Sequence, residues 1–197
     1  MLPDDVCGRL AAWWLVYGAN VPNWDLASTC TVGGRRGIVL VEAKANAAEL
    51  KAGGKVLAKN ASPRSRANHE RIGAAIGEAC AGLSRVVPGV RISRDHCYQL
   101  SNRIATAWKL ASMGVPTVLM YLGFLGDAGI CDVGPPLASP EEWRRLFWEH
   151  AKCVLPEFFG DGPIDCGGAT MQLIVRSLEV ISVSPSKGSP SATGRGR

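Results

Sequence analysis

The sequence predicts a mixed α/β domain, a central mixed sheet flanked by helices, and three observations carry that expectation. Ile38-Val39-Leu40-Val41 is apolar at every position, as a central strand covered on both faces would be. Pro116 to Leu125, PTVLMYLGFL, is a second buried-strand candidate. Around and between these runs, apolar residues recur at helical spacing, so the order reads helix, hairpin, helix, helix, strand, helix, strand.

The elements follow in turn. Residues 6–17 place Cys7, Leu10, Trp13, Trp14 and Tyr17 at spacings of an amphipathic helix, with Gly18 as its stop. WDLASTCTV and IVLVEAK are β-rich runs around GGRRG, which predicts a hairpin. Asn68 is the expected cap of a helix running to about Leu83, with Ile72, Ile76, Cys80 and Leu83 inward. A short strand is expected at Val90–Ser93. A further helix is expected from His96 to Met113, with Leu100, Ile104, Trp108 and Ala111 as its stripe and Gly114 at its end. After a Gly/Pro-rich loop at 126–138, Ser139-Pro140-Glu141-Glu142 supplies a cap, a first-position proline and a third-position acid. MQLIVRSLEVI reads as the last strand.

Composition bounds the rest. A chain of 197 residues with 47% hydrophobic content suits one domain, placed at 1–182. Residues 183–197 form a tail rich in Ser, Pro and Gly, expected to be disordered. No apolar run is long enough to span a bilayer, and MLPDDVCGRL lacks the features of a signal peptide. The expectation is a cytoplasmic protein with no membrane partner. Seven cysteines, without a CxxC pair, agree with reduced thiols rather than a zinc knuckle. His150 and Cys153, three apart, read as neighbours on a helix face. The net charge of +5 draws on Lys187, Arg195 and Arg197 of the tail. Residues 1–182 hold 19 basic against 17 acidic side chains, so global charge argues only weakly for a polyanion partner.

The hairpin holds the chemistry. A two-residue turn at Gly33-Gly34 sets Asp25 opposite Glu42, whereas a four-residue loop at 33–36 sets it opposite Lys44. Side chains alternate along a strand, so either register puts Asp25, Glu42 and Lys44 on one face. Cross-strand carboxylates about 5 Å apart repel unless a cation lies between them. Magnesium, or manganese in its place, suits such oxygen donors, with the Ala43 carbonyl as a further ligand. Lys44 would then help water attack and stabilise charge developing on a phosphate.

Pro22-Asn23-Trp24-Asp25, followed by Glu42-Ala43-Lys44 at the end of an apolar strand, resembles the signature of the PD-(D/E)XK nuclease superfamily. In that pattern the proline directly precedes the aspartate; here Asn23 and Trp24 intervene. PNWDLASTCTV, VEAKA, NHERIGAAI and YQLSNRIATAWKLASMGVPTVLMYLGFL resemble a bacterial group within the superfamily, over residues 11–150. The resemblance implies a restriction-endonuclease-like core and metal-dependent hydrolysis of nucleic-acid phosphodiesters. It implies Asp25, Glu42 and Lys44 as the catalytic set, with Asp25, Glu42 and Ala43 holding Mg2+. It also implies supporting roles for Glu70 and for Gln99, part of a polar stripe with Asn102, Arg103 and Thr106. Read as residues alone, Glu70 is a helix-start acid and that stripe an exposed helix face.

Lys51, Lys55, Lys59, Arg64 and Arg66 form a stretch without an acid among them, which together with Arg103 is expected to touch the phosphates of nucleic acid, DNA ahead of RNA. Trp24 stacks on a base or, more simply, packs against a helix. Two other functions fit the sequence: a non-catalytic nucleic-acid-binding module on the same fold, or a protein-interaction component of a bacterial defence or phage-related system.

Overall fold

The computed structural model describes residues 4–18, 22–127, 129 and 134–181; the expected tail at 183–197 and part of the 126–138 loop lie outside them. Within them run α1 (Asp4–Trp14), β1 (Leu26–Val32), β2 (Arg35–Lys44), α2 (Pro63–Ser84), α3 (Tyr98–Ser112), β3 (Thr117–Leu125), α4 (Pro140–Ala151), β4 (Ile164–Asp165) and β5 (Thr170–Glu179). Single 3-10 turns occupy Ala47–Glu49 and Glu157–Gly160. The strands form one mixed sheet in the order β1-β2-β3-β5-β4. Strands β2, β3 and β5 are parallel, and β1 and β4 close the edges antiparallel. The chain is α/β, with a five-stranded mixed sheet flanked by four helices.

Gly33 and Gly34 both have positive φ, 55° and 77°, which a two-residue hairpin turn requires and only glycine adopts without strain. Strand β2 therefore begins at Arg35, and GGRRG is not a long loop. The register runs Leu26↔Val41 through Val32↔Arg35, which selects the shorter of the two alternatives.

Strand β3 buries Thr117, Leu119, Tyr121, Gly123 and Leu125 and leaves the residues between them half-buried. Helix α4 supplies Phe147 against Tyr121, with ring centroids 4.8 Å apart, and Trp143 against Gly123. Helix α3 meets Glu42, which pairs with Tyr121 across the sheet. Both helices thus cover the same face. The opposite face, with Val39, Val118, Met120 and Leu122, is only partly buried. An unbroken apolar run in β2 does not here mean complete coverage on both sides.

Several boundaries differ from expectation. Helix α1 ends at Trp14, before Gly18. Helix α2 is capped by Ser62, six residues before Asn68; the Ser62 hydroxyl accepts from Ser65 N–H, with Pro63 at the first position. Asn68 instead ties α2 to the segment after α1, accepting from Val16 and Tyr17 N–H and donating to the Tyr17 carbonyl. Val90–Ser93 is not a strand: Val90 and Ile92 are buried, while Arg91 N–H bonds the Val154 carbonyl outside the sheet. The α4 start follows the expected pattern, as Ser139 Oγ accepts from Glu142 N–H at 3.1 Å.

Where β2 runs beside the turn into β3, a Cβ on Gly37 would lie 2.3 Å from the Pro116 carbonyl oxygen. Backbone cannot yield as a side chain can. Gly37→Ala is expected to cost about 1–3 kcal/mol through overpacking, read as a lower urea midpoint; an unchanged midpoint would show that the strands separate freely.

Candidate active site

Strand β2 stays buried after Val41, but its chemistry changes. Glu42 is 3% exposed and Lys44 5%. Charges at that depth require partners, and Glu42 has three. Its Oε1 accepts from Lys44 Nζ at 2.5 Å and from Gln99 Nε2 at 2.7 Å. Its Oε2 accepts from Arg103 Nε at 2.6 Å. Gln99 and Arg103 lie one helical turn apart on α3, so one helix face grips both oxygens. Arg103 also donates from Nη1 to Asn102 Oδ1 and lies under the Trp24 ring, 4.6 Å from its centroid. Trp24 packs against the helix through that cation.

The α3 polar stripe is therefore not an exposed face. Asn102, Arg103 and Thr106 are buried, and Gln99 is half-buried. Arg103, expected among the phosphate contacts, is spent inside on Glu42. Two cations share one carboxylate here. Beside them, the Tyr121 hydroxyl is buried without a hydrogen-bond partner. Burial and then the Glu42 charge push its ionisation well above the ordinary phenol range, with Arg103 partly offsetting them, so Tyr121 is a neutral phenol.

Asp25 stands one step beyond the paired part of β1. Its N–H donates to the Val41 carbonyl at 3.2 Å, and its Oδ2 accepts from Ala43 N–H at 2.7 Å. The register carried one step further sets it opposite Glu42. Asp25 is exposed, and its second oxygen faces no protein donor in any described bond. Since N–H and C=O of one strand residue point to the same edge, the Ala43 carbonyl is directed to the Asp25 side. A cleft of about 310 Å³ opens there, lined by Asp25, Ala43, Lys44, Ala45, Asn46, Glu49 and Phe124.

Among the described residues, no group of three or more His, Cys, Asp or Glu side chains gathers as a metal cage. Magnesium asks for less, one or two carboxylates plus waters. The donors present fit it: the free oxygen of Asp25, the Ala43 carbonyl and the one lone pair Glu42 Oε2 has left.

The other expected residues divide. Gln99 touches Glu42. Glu70 does not: it is exposed and lines a separate shallow cavity with Arg94 and Asp95, because it faces away from the sheet on α2. Lys51, Lys59, Arg64 and Arg66 are exposed, and Lys55 is half-buried. Lys55 Nζ lies 5.0 Å from the Tyr98 ring centroid and Arg64 5.1 Å from that of Tyr17. A second cleft, of about 500 Å³, holds Tyr17, Lys55, His69, Tyr98 and Asn102. It adjoins the Glu42 cluster through Asn102, the partner of Arg103.

His150 and Cys153 do not share a helix face: α4 ends at Ala151, and Cys153 is exposed beyond it, its thiol donating to the His150 carbonyl at 3.1 Å. The Cys153 sulfur lies 2.6 Å from that of Cys97, whose thiol is pushed up to about 12 by burial and by Cys153. Asn46, Glu49 and Tyr121 are absent from the sequence-based site. Only the Asn46-x-x-Glu49 spacing, that of a capping box, signals anything.

Comparison with protein-family models, curated proteins and solved structures returns no match, so the superfamily resemblance rests on the residues themselves.

Proposed function

We propose that the chain is a metal-dependent nuclease with a restriction-endonuclease-like core, hydrolysing phosphodiester bonds of nucleic acid, DNA in preference to RNA. One observation carries the reading: Asp25 is brought opposite a buried Glu42 that holds Lys44, beside an open cleft. Asp25, Glu42 and the Ala43 carbonyl would hold Mg2+, or Mn2+ in its place. When bound, the ion supplies Lewis acidity toward a phosphate oxygen and activates water. The protein does the positioning. Glu42 fixes the Lys44 ammonium, which meets charge developing on the phosphate. Gln99 and Arg103 fix Glu42 in turn. Lys51, Lys55, Lys59, Arg64 and Arg66 would draw the backbone toward the cleft.

A non-catalytic nucleic-acid-binding module is the second reading, favoured by the neutralisation of Glu42 by both Lys44 and Arg103. Cleavage of single- and double-stranded DNA and RNA, with Mg2+, Mn2+ or chelator, separates the two. Metal-dependent cleavage supports the enzyme; affinity without cleavage supports the module; no affinity at low salt leaves a protein-interaction role. Neutralising Lys51, Lys59, Arg64 and Arg66 together is expected to weaken binding whatever the sequence. It should also reduce the salt slope by roughly 0.9 per lost duplex contact. An unchanged slope would remove these residues from the interface.

A further inference from the structure

Cys97 caps the start of α3 in a left-handed backbone conformation, φ 42° and ψ 47°, and is the only described residue other than glycine with positive φ. A β-carbon disfavours that region, so the surroundings hold the residue there. Its N–H donates to the Ala52 carbonyl at 2.8 Å, and its carbonyl accepts from Ser101 N–H at 2.9 Å. Cys97 is 1% exposed, and its sulfur meets that of Cys153, just past the end of α4, at 2.6 Å. The backbone beside Cys153 is fixed as well: Val154 N–H donates to the Ala151 carbonyl at 2.9 Å, and the Val154 carbonyl accepts from Arg91 N–H at 2.7 Å. Both thiols are free. The sulfurs of a disulfide are roughly 2.05 Å apart, so joining these two asks for a shift of about half an ångström.

We propose that Cys97 and Cys153 are a modification site, a reversible disulfide that hydrogen peroxide closes and a dithiol reopens. Cys153 is exposed and meets the peroxide first. Its sulfur attacks one peroxide oxygen. An S–O bond forms, the O–O bond breaks, and the other oxygen leaves as water with the Cys153 proton. Cys97 then attacks the Cys153 sulfur. The S–S bond forms, the S–O bond breaks, and the sulfenic hydroxyl leaves as a second water with the Cys97 proton. The two thiols give up two electrons, and the peroxide takes both. Burial, and then the Cys153 thiol beside it, push the Cys97 ionisation up to about 12, which leaves the first attack to Cys153. The bond fastens the start of α3 to the end of α4, two residues before Gln99. It goes beyond the nuclease reading and does not depend on it.

The test treats the full, reduced chain with hydrogen peroxide, blocks the remaining thiols and maps the peptides by mass spectrometry. Digestion after Lys, Arg and Glu separates Cys153 from Cys166, since Glu157 lies between them. The expected product is a peptide pair linked through Cys97 and Cys153, with both thiols regained in dithiothreitol. The urea midpoint of the linked chain is expected to rise, because the bond constrains the unfolded chain across a separation of 56 residues. Cys153→Ser, at an exposed position, is expected to form no link from Cys97, and its midpoint to ignore peroxide. Three results overturn the site. One is Cys153 carried on to sulfinic acid while Cys97 stays a thiol. Another is a link from either residue to a different cysteine in place of the expected one. The third is a midpoint that fails to rise on linking, which would show the native fold distorting to close the bond.

Discussion

Glu42→Gln is expected to lower folding stability by about 3–5 kcal/mol and to abolish metal-dependent cleavage together. The carboxylate is the only counter-charge that Lys44 and Arg103 share in the described bonds. Glutamine keeps an acceptor but leaves two buried cations against a neutral amide. Neither side chain reaches water easily, since their side chains are 6% and 10% exposed. Urea unfolding followed by circular dichroism measures the first effect, and cleavage at a temperature where the variant is folded measures the second. Undiminished cleavage by folded Glu42→Gln defeats the catalytic assignment. An unchanged urea midpoint would mean that solvent, not Glu42, compensates the two cations.

Asp25→Asn should separate chemistry from stability. Its amide oxygen can still accept from Ala43 N–H, and the residue is exposed, so the urea midpoint should move by less than about 1 kcal/mol. Cleavage should nonetheless fall by about 10²–10³, because a charge is taken from the ion. Lys44→Ala should lose activity on the same scale while Glu42 keeps Arg103, with a smaller change in Mn2+ affinity than Asp25→Asn. Equal loss of Mn2+ affinity in the two variants would contradict the division of labour between Asp25 and Lys44.

The long elements were legible because their patterns are local. The β1–β2 hairpin, β3, α3 and the capped start of α4 lie close to where periodicity and capping residues put them. What was not legible depended on distant partners. Gln99 and Arg103 read as a polar helix face until β2 is packed beside them; their bonds to Glu42 span 57 and 61 residues. Asn68 has the chemistry of a cap but spends it on the chain after α1, and a Ser-Pro pair upstream started the helix first. Val90–Ser93 has a strand-like pattern, but its carbonyls and N–H groups find partners outside the sheet. Strand β4, with two residues, is too short for any periodicity to mark. Glu49 was hidden for another reason: an acid three residues after Asn46 reads as a turn cap, and it is one.

Strand β1 is exposed along most of its length, on both faces. Nothing in its own hydrophobic pattern holds it to one alignment with β2. The alignment is dictated from Gly33-Gly34, seven residues away from Asp25 along the strand. The turn thus works like the start of a reading frame. Everything upstream is counted off from it two by two, and the acid arrives on the proper side only if the count is kept. Lengthening the chain before Asp25 leaves the frame intact. One extra residue between Gly34 and Arg35, with the two-residue turn kept, changes the parity of every pair and delivers Asp25 to the wrong side of Glu42. The catalytic arrangement proposed here is therefore least tolerant of length change at a tip that touches none of its members.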